Sequence, residues 1–427
     1  MPLTEPEFKI KSKDAINDSA QKDFLANAQQ QYAKRHINQG SWFSNYALAK
    51  NRAAFIRWKA IESLDKHLIQ FESNCIKAGI KVLWALDNAQ ALLEVSSIIN
   101  KHNIKSLLLD KYSLAAELGL EQQLNKNKGL ILTCSSKQEP YLVKSYIHDT
   151  IRCNNGSAFS GALSFDASIM QAAFITADSG TLFIADYTVN ATVKYSTSKV
   201  SIILVSIDTV LPSLNDAELI LSLQSGYSSA GGTIPLLKII SSVKKANDDD
   251  GNDTYVLLID NGRSNLLETE QQRQLLYCIQ CGACQAFCPV VASIGSTGAD
   301  DVHSGPLAFS SLPQWKGKKD YSYLSYSSPL CGKCNEVCPV KIDFKKAMLA
   351  TRHDAVKNKL NSKQEKLFYF FWKKTMLKRE FINWNNINAY RKAVETIFLK
   401  SRSGLRKFAL AESKSFNQQW RERIGIK

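Results

Sequence analysis

The sequence predicts an α/β domain with a parallel or mixed sheet, preceded by N-terminal helices and followed by a helical, cysteine-rich segment and a basic helical tail. Three observations support this fold class. Helix formers dominate the first 79 residues, short apolar runs then alternate with amphipathic stretches, and cysteines cluster late in the chain. The predicted divisions of the 427 residues are 1–79, 80–262, 263–345 and 346–427.

Residues 1–79 are predicted to be helical because apolar residues recur at three- and four-residue steps among good helix formers. Two segments show this pattern, SAQKDFLANAQQQYAKRH and LAKNRAAFIRWKAIESLDKHLIQFESNCIKAG. We expect Gly40 to break the first segment and Gly79 to end the second as a helix C-cap.

Residues 80–262 show the alternation of strands and helices that is typical of a parallel sheet. The predicted strands are IKVLWAL, KSLLLD, GLILT, KVSIILVSIDTVLP and TYVLLIDNG. Asp87 or Asn88 is predicted to cap a helix after the first strand, and Ser213 a later helix. EPYLVKSYIHDTIRC is predicted as a further helix, and AAFITADSGTLFIAD as a hairpin that turns at Asp178, Ser179 and Gly180.

Seven of the ten cysteines lie in two similar runs, each ending in Cys-Pro. The first run, YCIQCGACQAFCPVV, has the complete pattern C-x2-C-x2-C-x3-C-P, with Cys278, Cys281, Cys284 and Cys288. The second run, SSPLCGKCNEVCPVKI, supplies only Cys331, Cys334 and Cys338, and Ser328 stands at the first position. Runs of this spacing hold iron–sulfur clusters, because three thiolates on one tight loop can surround a cubane.

In two-cluster ferredoxins the fourth cysteine of each run binds the other cluster. This rule predicts two [4Fe–4S] clusters, the first held by Cys278, Cys281, Cys284 and Cys338. The second is held by Cys288, Cys331 and Cys334, and it lacks one cysteine ligand. Candidates for that position are Ser328, His303, a residue of a partner, or water. A zinc site, a single cluster and a [3Fe–4S] cluster are the alternatives. The segment between the two runs is rich in loop-forming residues.

The net charge of +15 lies entirely in the last fifth of the chain. Residues 341–427 contain 22 Lys and Arg against 7 Asp and Glu, whereas the preceding residues balance to zero. Such a tail favours packing on a partner or on its own domain, or a peripheral contact with an anionic membrane surface. Nucleic acid is not an expected partner, because no nucleic-acid-binding fold signature accompanies the charge.

The location expected from the sequence is the cytoplasm. The N-terminal residues MPLTEPEFKIKSKD have no apolar stretch typical of a signal peptide, and thiols in that compartment stay reduced. No run reaches the roughly 18 apolar residues of a membrane helix. Membrane association is therefore expected only through the basic tail.

Most of the chain resembles the lactate utilisation protein B family, loosely before residue 160 and tightly from 254 to 345. The resemblance rests on LLIDNGRSNLLETEQQRQLLYCIQCGACQAFCPV, HSGP and LCGKCNEVCPVKI, and upstream on FITADSGTLFIAD and VSIILVSIDTVLPSLNDAELILSLQSG. It implies a LUD-type α/β domain joined to a two-cluster ferredoxin segment. It also implies that other members of the family have a small polar residue at the position that Ser328 occupies in this chain.

The resemblance implies an iron–sulfur subunit of a complex of three different subunits that oxidises L-lactate to pyruvate. This chain would carry electrons to a downstream acceptor, with a non-catalytic or co-catalytic part in the reaction. The alternatives are a cluster-stabilised assembly scaffold, or the same redox part with another 2-hydroxy acid. Two loops depart from the family pattern. In the first loop only His148 and Asp149 match the family pattern, and in the second DYTVNATVKYSTSK replaces it. Polar loops at the mouth of such a domain bind ligands, so their loss weighs against substrate binding by this α/β domain.

Several isolated residues have both a functional and a structural interpretation. Asp178 is a candidate pocket acid, although an aspartate in a turn more often caps it. Arg263, in the turn formed with Asp260, Asn261 and Gly262, is a candidate partner for cluster charge, with a structural ion pair favoured. Three cysteines outside the runs are interpreted as small buried apolar residues: Cys75, Cys134 and Cys153.

Overall fold

The computed structural model describes residues 4–20, 23, 25–27, 30, 42–109, 113–126, 131–134, 152–153, 165–186, 198–228, 236–241, 253–295, 305–360, 363–377 and 416–425. The chain divides into two compact units, Met1–Asp354 and Ala355–Lys427. His148, Asp149 and His303 lie outside the described residues. So do most of the first predicted N-terminal helical segment and most of the helix predicted in EPYLVKSYIHDTIRC.

The described helices lie at both ends of the chain and between the strands. In chain order they are α1 Glu5–Asn17, α2 Tyr46–Glu62, α3 Leu64–Lys77, α4 Asn88–Lys101, α5 Ser113–Glu117, α6 Leu120–Leu124, α7 Leu214–Ser228, α8 Glu270–Arg273, α9 Ala283–Ala286, α10 Pro289–Ile294, α11 Gly305–Trp315, α12 Lys318–Tyr321, α13 Lys333–Val337, α14 Phe344–Lys357, α15 Lys363–Met376 and α16 Phe416–Arg423. Among the described residues, short 3-10 helices are Ile207–Thr209, Arg263–Glu268, Gln274–Tyr277 and Ser322–Ser327.

The second N-terminal segment is helical, as predicted, and it forms two helices. Ser63 leaves the helical conformation with φ −125° and ψ 38°, which separates α2 from α3. The side chain of Asn45 caps the start of α2 by accepting a 2.9 Å hydrogen bond from the Leu48 N–H. Gly79, with φ 83°, follows the end of α3, as the sequence predicts.

The strands form two sheets. In chain order they are β1 Lys81–Ala85, β2 Ser106–Leu109, β3 Ile131–Cys134, β4 Arg152–Cys153, β5 Ala167–Gln171, β6 Phe174–Thr176, β7 Thr181–Asp186, β8 Val200–Ser206, β9 Val210–Leu211, β10 Leu236–Ile240 and β11 Asp253–Ile259. The larger sheet has the order β1-β11-β8-β5-β2-β3-β4 and is parallel except for β4. The predicted α/β fold with a mixed sheet is therefore confirmed.

The predicted hairpin belongs to a separate four-stranded sheet of order β10-β7-β6-β9. The run KVSIILVSIDTVLP was predicted as one buried strand, and that prediction is wrong. The 3-10 helix Ile207–Thr209 divides the run, so that β8 lies in the large sheet and β9 in the small one. Periodicity could not show this division, because every residue of the run after Lys199 is buried.

Two apolar cores lie within the first unit. One packs α4 and α6 against the large sheet, with Val95, Leu107, Leu120 and Leu257 among its buried residues. The other joins α3, the small sheet and the cysteine-rich segment, and it includes Phe71, Phe174, Leu276 and Phe344. The cysteine-rich segment therefore shares a core with the N-terminal helices and the α/β domain.

The stretch between the two cysteine runs is more ordered than the predicted loop. Within it α11 spans Gly305–Trp315, and its buried residues include Phe309, Leu312 and, inside the helix, Pro313. The prediction of a loop-rich stretch is therefore wrong for this part. Glycine, proline and serine suggested loop, whereas burial in the shared core stabilises the helix.

The second unit contains α15 and α16, both basic in their last turns. Leu367, Tyr369, Phe370 and Phe371 of α15 are exposed. A search of the described residues found no helix with both the length and the apolar character needed to cross a membrane.

Gly180, in the hairpin turn, packs against the end of α3. A Cβ atom there would lie 2.9 Å from the Asn74 Cβ, and φ is +66°. Gly119 also has φ +66°, but an added Cβ would meet only the Gln122 Oε1, at 3.9 Å. We therefore expect Gly119→Ala to cost about 1 kcal/mol and Gly180→Ala about 1–3 kcal/mol more.

Chemical denaturation of each anaerobically purified variant measures its free energy of unfolding. Because the two glycines share one φ, the difference between the variants isolates the contact with α3. Equal losses in the two variants would contradict the tight packing of the turn on α3.

Candidate functional site

The first cysteine run folds into a tight loop between a 3-10 helix and α9. Cys278 ends the 3-10 helix Gln274–Tyr277 in an extended conformation, with φ −56° and ψ 131°. Gln280 and Gly282 then take positive φ values of 54° and 76°. The Gln280 N–H donates a hydrogen bond to the Cys278 Sγ over 3.3 Å. The loop thus turns its thiols inwards and directs a backbone donor at one of them.

The second run repeats this conformation. Ser328 ends the 3-10 helix Ser322–Ser327 with φ −83° and ψ 132°. Leu330 and Gly332 have φ values of 57° and 84°, and α13 follows. The Leu330 N–H donates a hydrogen bond to the Ser328 Oγ over 3.1 Å. The serine therefore stands in the second loop where Cys278 stands in the first.

One group of interacting thiols combines the first loop with the last cysteine of the second run. Burial raises the pKa of Cys278 to about 12, and a charge on Cys338 acts in the same direction. Burial and then Cys338 also raise the pKa of Cys281. For Cys284, burial, Cys278, Cys281 and Cys338 all raise the pKa. The four cysteines predicted for the first cluster are thus brought together.

A second group contains Cys288, Cys331 and Cys334. Burial and the charge of Cys331 raise the pKa of Cys288, although backbone N–H groups oppose this. Burial, Cys288 and Cys331 raise the pKa of Cys334 to about 12. The same three cysteines and Ser328 line one pocket together with Lys333 and Lys345. Cys334 also acts on Cys284, so the two groups are neighbours.

The donor set fits iron–sulfur clusters in its chemistry. Thiolates are the soft ligands that these clusters require, but a buried thiolate is costly unless a cation offsets its charge. Backbone N–H groups point at the sulfur atoms, including that of Ile342, which donates to the Cys338 Sγ over 3.4 Å. Among the described residues, no three His, Cys, Asp or Glu side chains are grouped so that they could hold a single metal ion.

Arg57 fastens the first loop to the α/β domain, and sequence analysis missed it. Its guanidinium is fully buried and donates to the carbonyl oxygens of Tyr277 at 3.1 Å, Leu276 at 2.7 Å and Val210 at 2.8 Å. It also donates to the Asp208 carbonyl. Burial lowers its pKa to about 10, so it stays charged at neutral pH. The available signal was one arginine on the apolar face of α2 that also contains Ala53, Ile56 and Ala60.

Arg352 of α14 binds the backbone at the start of the second loop, as Arg57 does at the first. Its guanidinium donates to the carbonyl oxygen of Ser325 at 2.6 Å and to that of Ser328 at 2.7 Å. The guanidinium carbon also lies 5.1 Å from the ring centre of Tyr326. Each loop therefore has one arginine bound to the backbone at its start.

The remaining candidates have structural contacts. The Asp178 carboxylate accepts the Leu214 N–H at 3.1 Å and so caps α7 instead of its own turn. Arg263 makes a 2.9 Å ion pair with Glu117 and a 3.1 Å ion pair with Asp208, which is the favoured structural interpretation. Asp260 accepts the Ser264 N–H at 2.7 Å.

The three cysteines outside the runs lie on a helix and two strands that precede the cysteine-rich segment. Cys75 is buried on α3, and its thiol donates to the Gly180 carbonyl at 3.6 Å. Burial raises the pKa of Cys75 to about 12. Cys134 and Cys153 lie on the antiparallel pair β3 and β4, at the edge of the large sheet.

Family models match the two parts of the chain that the fold distinguishes. Residues 68–259 match the LUD domain, and residues 274–342 match the 4Fe-4S dicluster domain, which contains all seven cysteines of the two groups. The chain joins a LUD domain to a 4Fe-4S dicluster domain. The predicted resemblance to the lactate utilisation protein B family is thereby confirmed.

Curated relatives carry that name. Lactate utilization protein B of Bacillus cytotoxicus is 24% identical to this chain, and the match covers 82% of this chain and 81% of the relative. The protein of the same name from Bacillus cereus strain AH820 is 23% identical with the same coverage. A solved DUF162 family protein from Deinococcus radiodurans is 14% identical and covers 46% of this chain and 98% of its own, with a TM-score of 0.30.

Proposed function

We propose that this chain is the electron-transfer subunit of a multi-subunit complex that oxidises L-lactate to pyruvate. The observation that carries the proposal is the pairing of thiols within the dicluster domain. Cys288 of the first run lines one pocket with Cys331 and Cys334 of the second. Besides burial, a charge on Cys338 raises the pKa of Cys278, Cys281 and Cys284. This exchange of the last cysteine between the two runs is the arrangement of two-cluster ferredoxins.

In this proposal the first group holds one [4Fe–4S] cluster, and Cys288, Cys331 and Cys334 supply three thiolates to a second. Such clusters, when bound, take up and release single electrons. Oxidation of a 2-hydroxy acid to a 2-oxo acid releases two electrons and two protons, so two one-electron carriers match its electron count. Cys334 contributes to the raised pKa of Cys284, so the two clusters would be neighbours, as electron transfer between them requires.

The chain's own residues hold the carriers and insulate them. Cys281, Cys288, Cys334 and Cys338 are buried, Cys278 and Cys284 are half-buried and Cys331 is exposed, so the first group is the better shielded from solvent. The N–H groups of Gln280 and Ile342 point at ligand sulfur atoms and stabilise their negative charge. Arg57 and Arg352 fix the start of each loop.

We assign the organic step to a partner subunit. Two polar side chains in the LUD domain and its exit turn were candidates for a substrate pocket. Asp178 is engaged as the cap of α7, and Arg263 is engaged by Glu117 and Asp208. The chain would pass electrons from that partner to a downstream acceptor, in the cytoplasm, and the basic tail with its exposed aromatic residues would provide the peripheral membrane contact.

The test measures cluster reduction in the complex purified anaerobically with its native partners. We expect about eight irons per chain, and L-lactate should produce the reduced-cluster EPR signals that dithionite produces. Cys284→Ala should abolish the signal of the first cluster, whereas Cys75→Ala, which removes a buried thiol outside both groups, should retain both signals.

Each other outcome rejects part of the proposal. Clusters that dithionite reduces but no hydroxy acid reduces would indicate an assembly scaffold. Reduction by glycolate or another 2-hydroxy acid, but not by L-lactate, would change the substrate and keep the electron-transfer function. A chain without iron would reject the proposal as a whole.

A further inference from the structure

We infer that the Oγ atom of Ser328 is the fourth protein ligand of the second cluster. The inference rests on the proposed presence of two clusters, and it names a ligand for the one iron that the cysteine runs leave without a thiolate. Four independent features of the second loop support it.

The first feature is the backbone of the two loops. Cys278 and Ser328 both leave a 3-10 helix with ψ of 131° and 132°. Two positions later, Gln280 and Leu330 take φ of 54° and 57°, which residues other than glycine adopt only rarely. A chance resemblance would not reproduce this strained conformation at the same position of each loop.

The second feature is the helix that follows each loop. In the first loop, the N–H groups of Gln285 and Ala286 donate to the Gly282 carbonyl at 3.0 and 3.1 Å. In the second loop, those of Asn335 and Glu336 donate to the Gly332 carbonyl at 3.0 and 3.2 Å. The two loops therefore match from the first ligand position to the third, and Ser328 occupies the first.

The third feature is the hydrogen bond that holds the side chain. The backbone N–H two residues ahead binds the Cys278 Sγ at 3.3 Å in the first loop and the Ser328 Oγ at 3.1 Å in the second. The Ser328 Oγ therefore accepts the same backbone hydrogen bond in its loop as the Cys278 Sγ accepts in the first loop. The same donor would stabilise negative charge on the oxygen once its proton has left.

The fourth feature is the pocket. Ser328 lines it together with Cys288, Cys331 and Cys334. Arg352 holds the Ser328 carbonyl at 2.7 Å, so the loop is fixed from behind.

Ligation replaces the O–H bond of Ser328 by an Fe–O bond and releases one proton to solvent, with no change in electron count. Oxygen is a harder ligand than sulfur and favours the more oxidised iron. The second cluster should therefore have one iron distinct from its other three, and a lower reduction potential than a four-thiolate version of the same site.

The experiment compares Ser328→Cys, Ser328→Ala and the neighbouring control Ser327→Ala in the full chain, purified anaerobically with 57Fe. We expect wild type and Ser327→Ala to contain about eight irons and to show one distinct iron site by Mössbauer spectroscopy. Ser328→Cys should keep eight irons, lose the distinct site and raise the potential of the second cluster. Ser328→Ala should fall to about seven irons and show an oxidised [3Fe–4S] EPR signal.

Two results would overturn the inference. One is a Ser328→Ala protein with eight irons and an unchanged Mössbauer spectrum, which would place the fourth ligand elsewhere. The other is a wild-type protein with seven irons and a [3Fe–4S] signal, in which the site has no fourth iron. Both results leave two clusters in the chain, so they are distinguishable from failure of the proposed function, which would appear in wild type as missing clusters.

Discussion

Replacing Arg57 by methionine should remove the first cluster and destabilise the first unit by about 4 kcal/mol or more. Methionine is close to arginine in length but cannot donate hydrogen bonds. The substitution would leave the carbonyl oxygens of Leu276, Tyr277, Val210 and Asp208 without this donor in a buried site. Each unsatisfied buried group costs about 1–3 kcal/mol, and hydrogen bonds from a charged donor are among the stronger ones.

The effect should reach the iron because two of those carbonyls immediately precede Cys278. Without Arg57, the 3-10 helix Gln274–Tyr277 loses its connection to the residues around β9, and the first loop loses its fixed start. We expect iron to fall from about eight to about four per chain, with the EPR signal of the second cluster retained.

The control is Arg52→Met, which removes an exposed arginine from the same helix. It should leave the iron content and the apparent free energy of unfolding within about 0.5 kcal/mol of wild type. Arg57→Lys, which keeps the charge but has fewer donors, should fall between the two. An Arg57→Met protein with eight irons and normal stability would show that the first loop does not depend on this clamp.

Glu117→Gln should cost about 3 kcal/mol, because it leaves part of the charge of Arg263 without a partner. The Glu117 carboxylate accepts hydrogen bonds from Arg263 at 3.0 and 2.9 Å, and the two side chains are 2% and 5% exposed. Burial disfavours the charged form of Arg263, but the negative charges of Glu117 and Asp208 have the larger effect and raise the pKa of Arg263. Breaking a buried pair from one side typically costs about 3–5 kcal/mol, and Asp208 retains part of the compensation.

This pair lies where the chain leaves the LUD domain. Arg263 begins the 3-10 helix after β11, and its guanidinium carbon stacks 4.9 Å from the ring centre of Trp315 in α11. The loss should therefore loosen the junction with the dicluster domain. Chemical denaturation and the rate of iron loss to a chelator measure the two effects.

Glu218→Gln on α7 is the matched control, because it makes the same chemical change at an exposed glutamate. It should change neither stability nor iron loss. If Glu117→Gln matches Glu218→Gln in both measurements, the buried pair does not hold this junction.

Local patterns determined much of the molecule. The alternation of apolar runs and amphipathic stretches predicted the α/β fold, and Asp87 caps α4 as expected, accepting the Gln90 N–H at 2.8 Å. The spacing of the cysteine runs predicted two tight loops, because a C-x2-C-x2-C loop depends on residues within one turn of chain. These features need no distant contact, so the sequence is sufficient to predict them.

Distant contacts decided the rest. The division between β8 and β9, the helix around Phe309 and the buried position of Arg57 all depend on surfaces that meet only in the folded chain. Arg57 and Tyr277 are 220 residues apart, and no local pattern records such a pair. The sequence by itself placed Ser328 at the first position of the second cysteine run. Only the tertiary structure placed Ser328 in one pocket with Cys288, Cys331 and Cys334, because Cys288 comes from the other run.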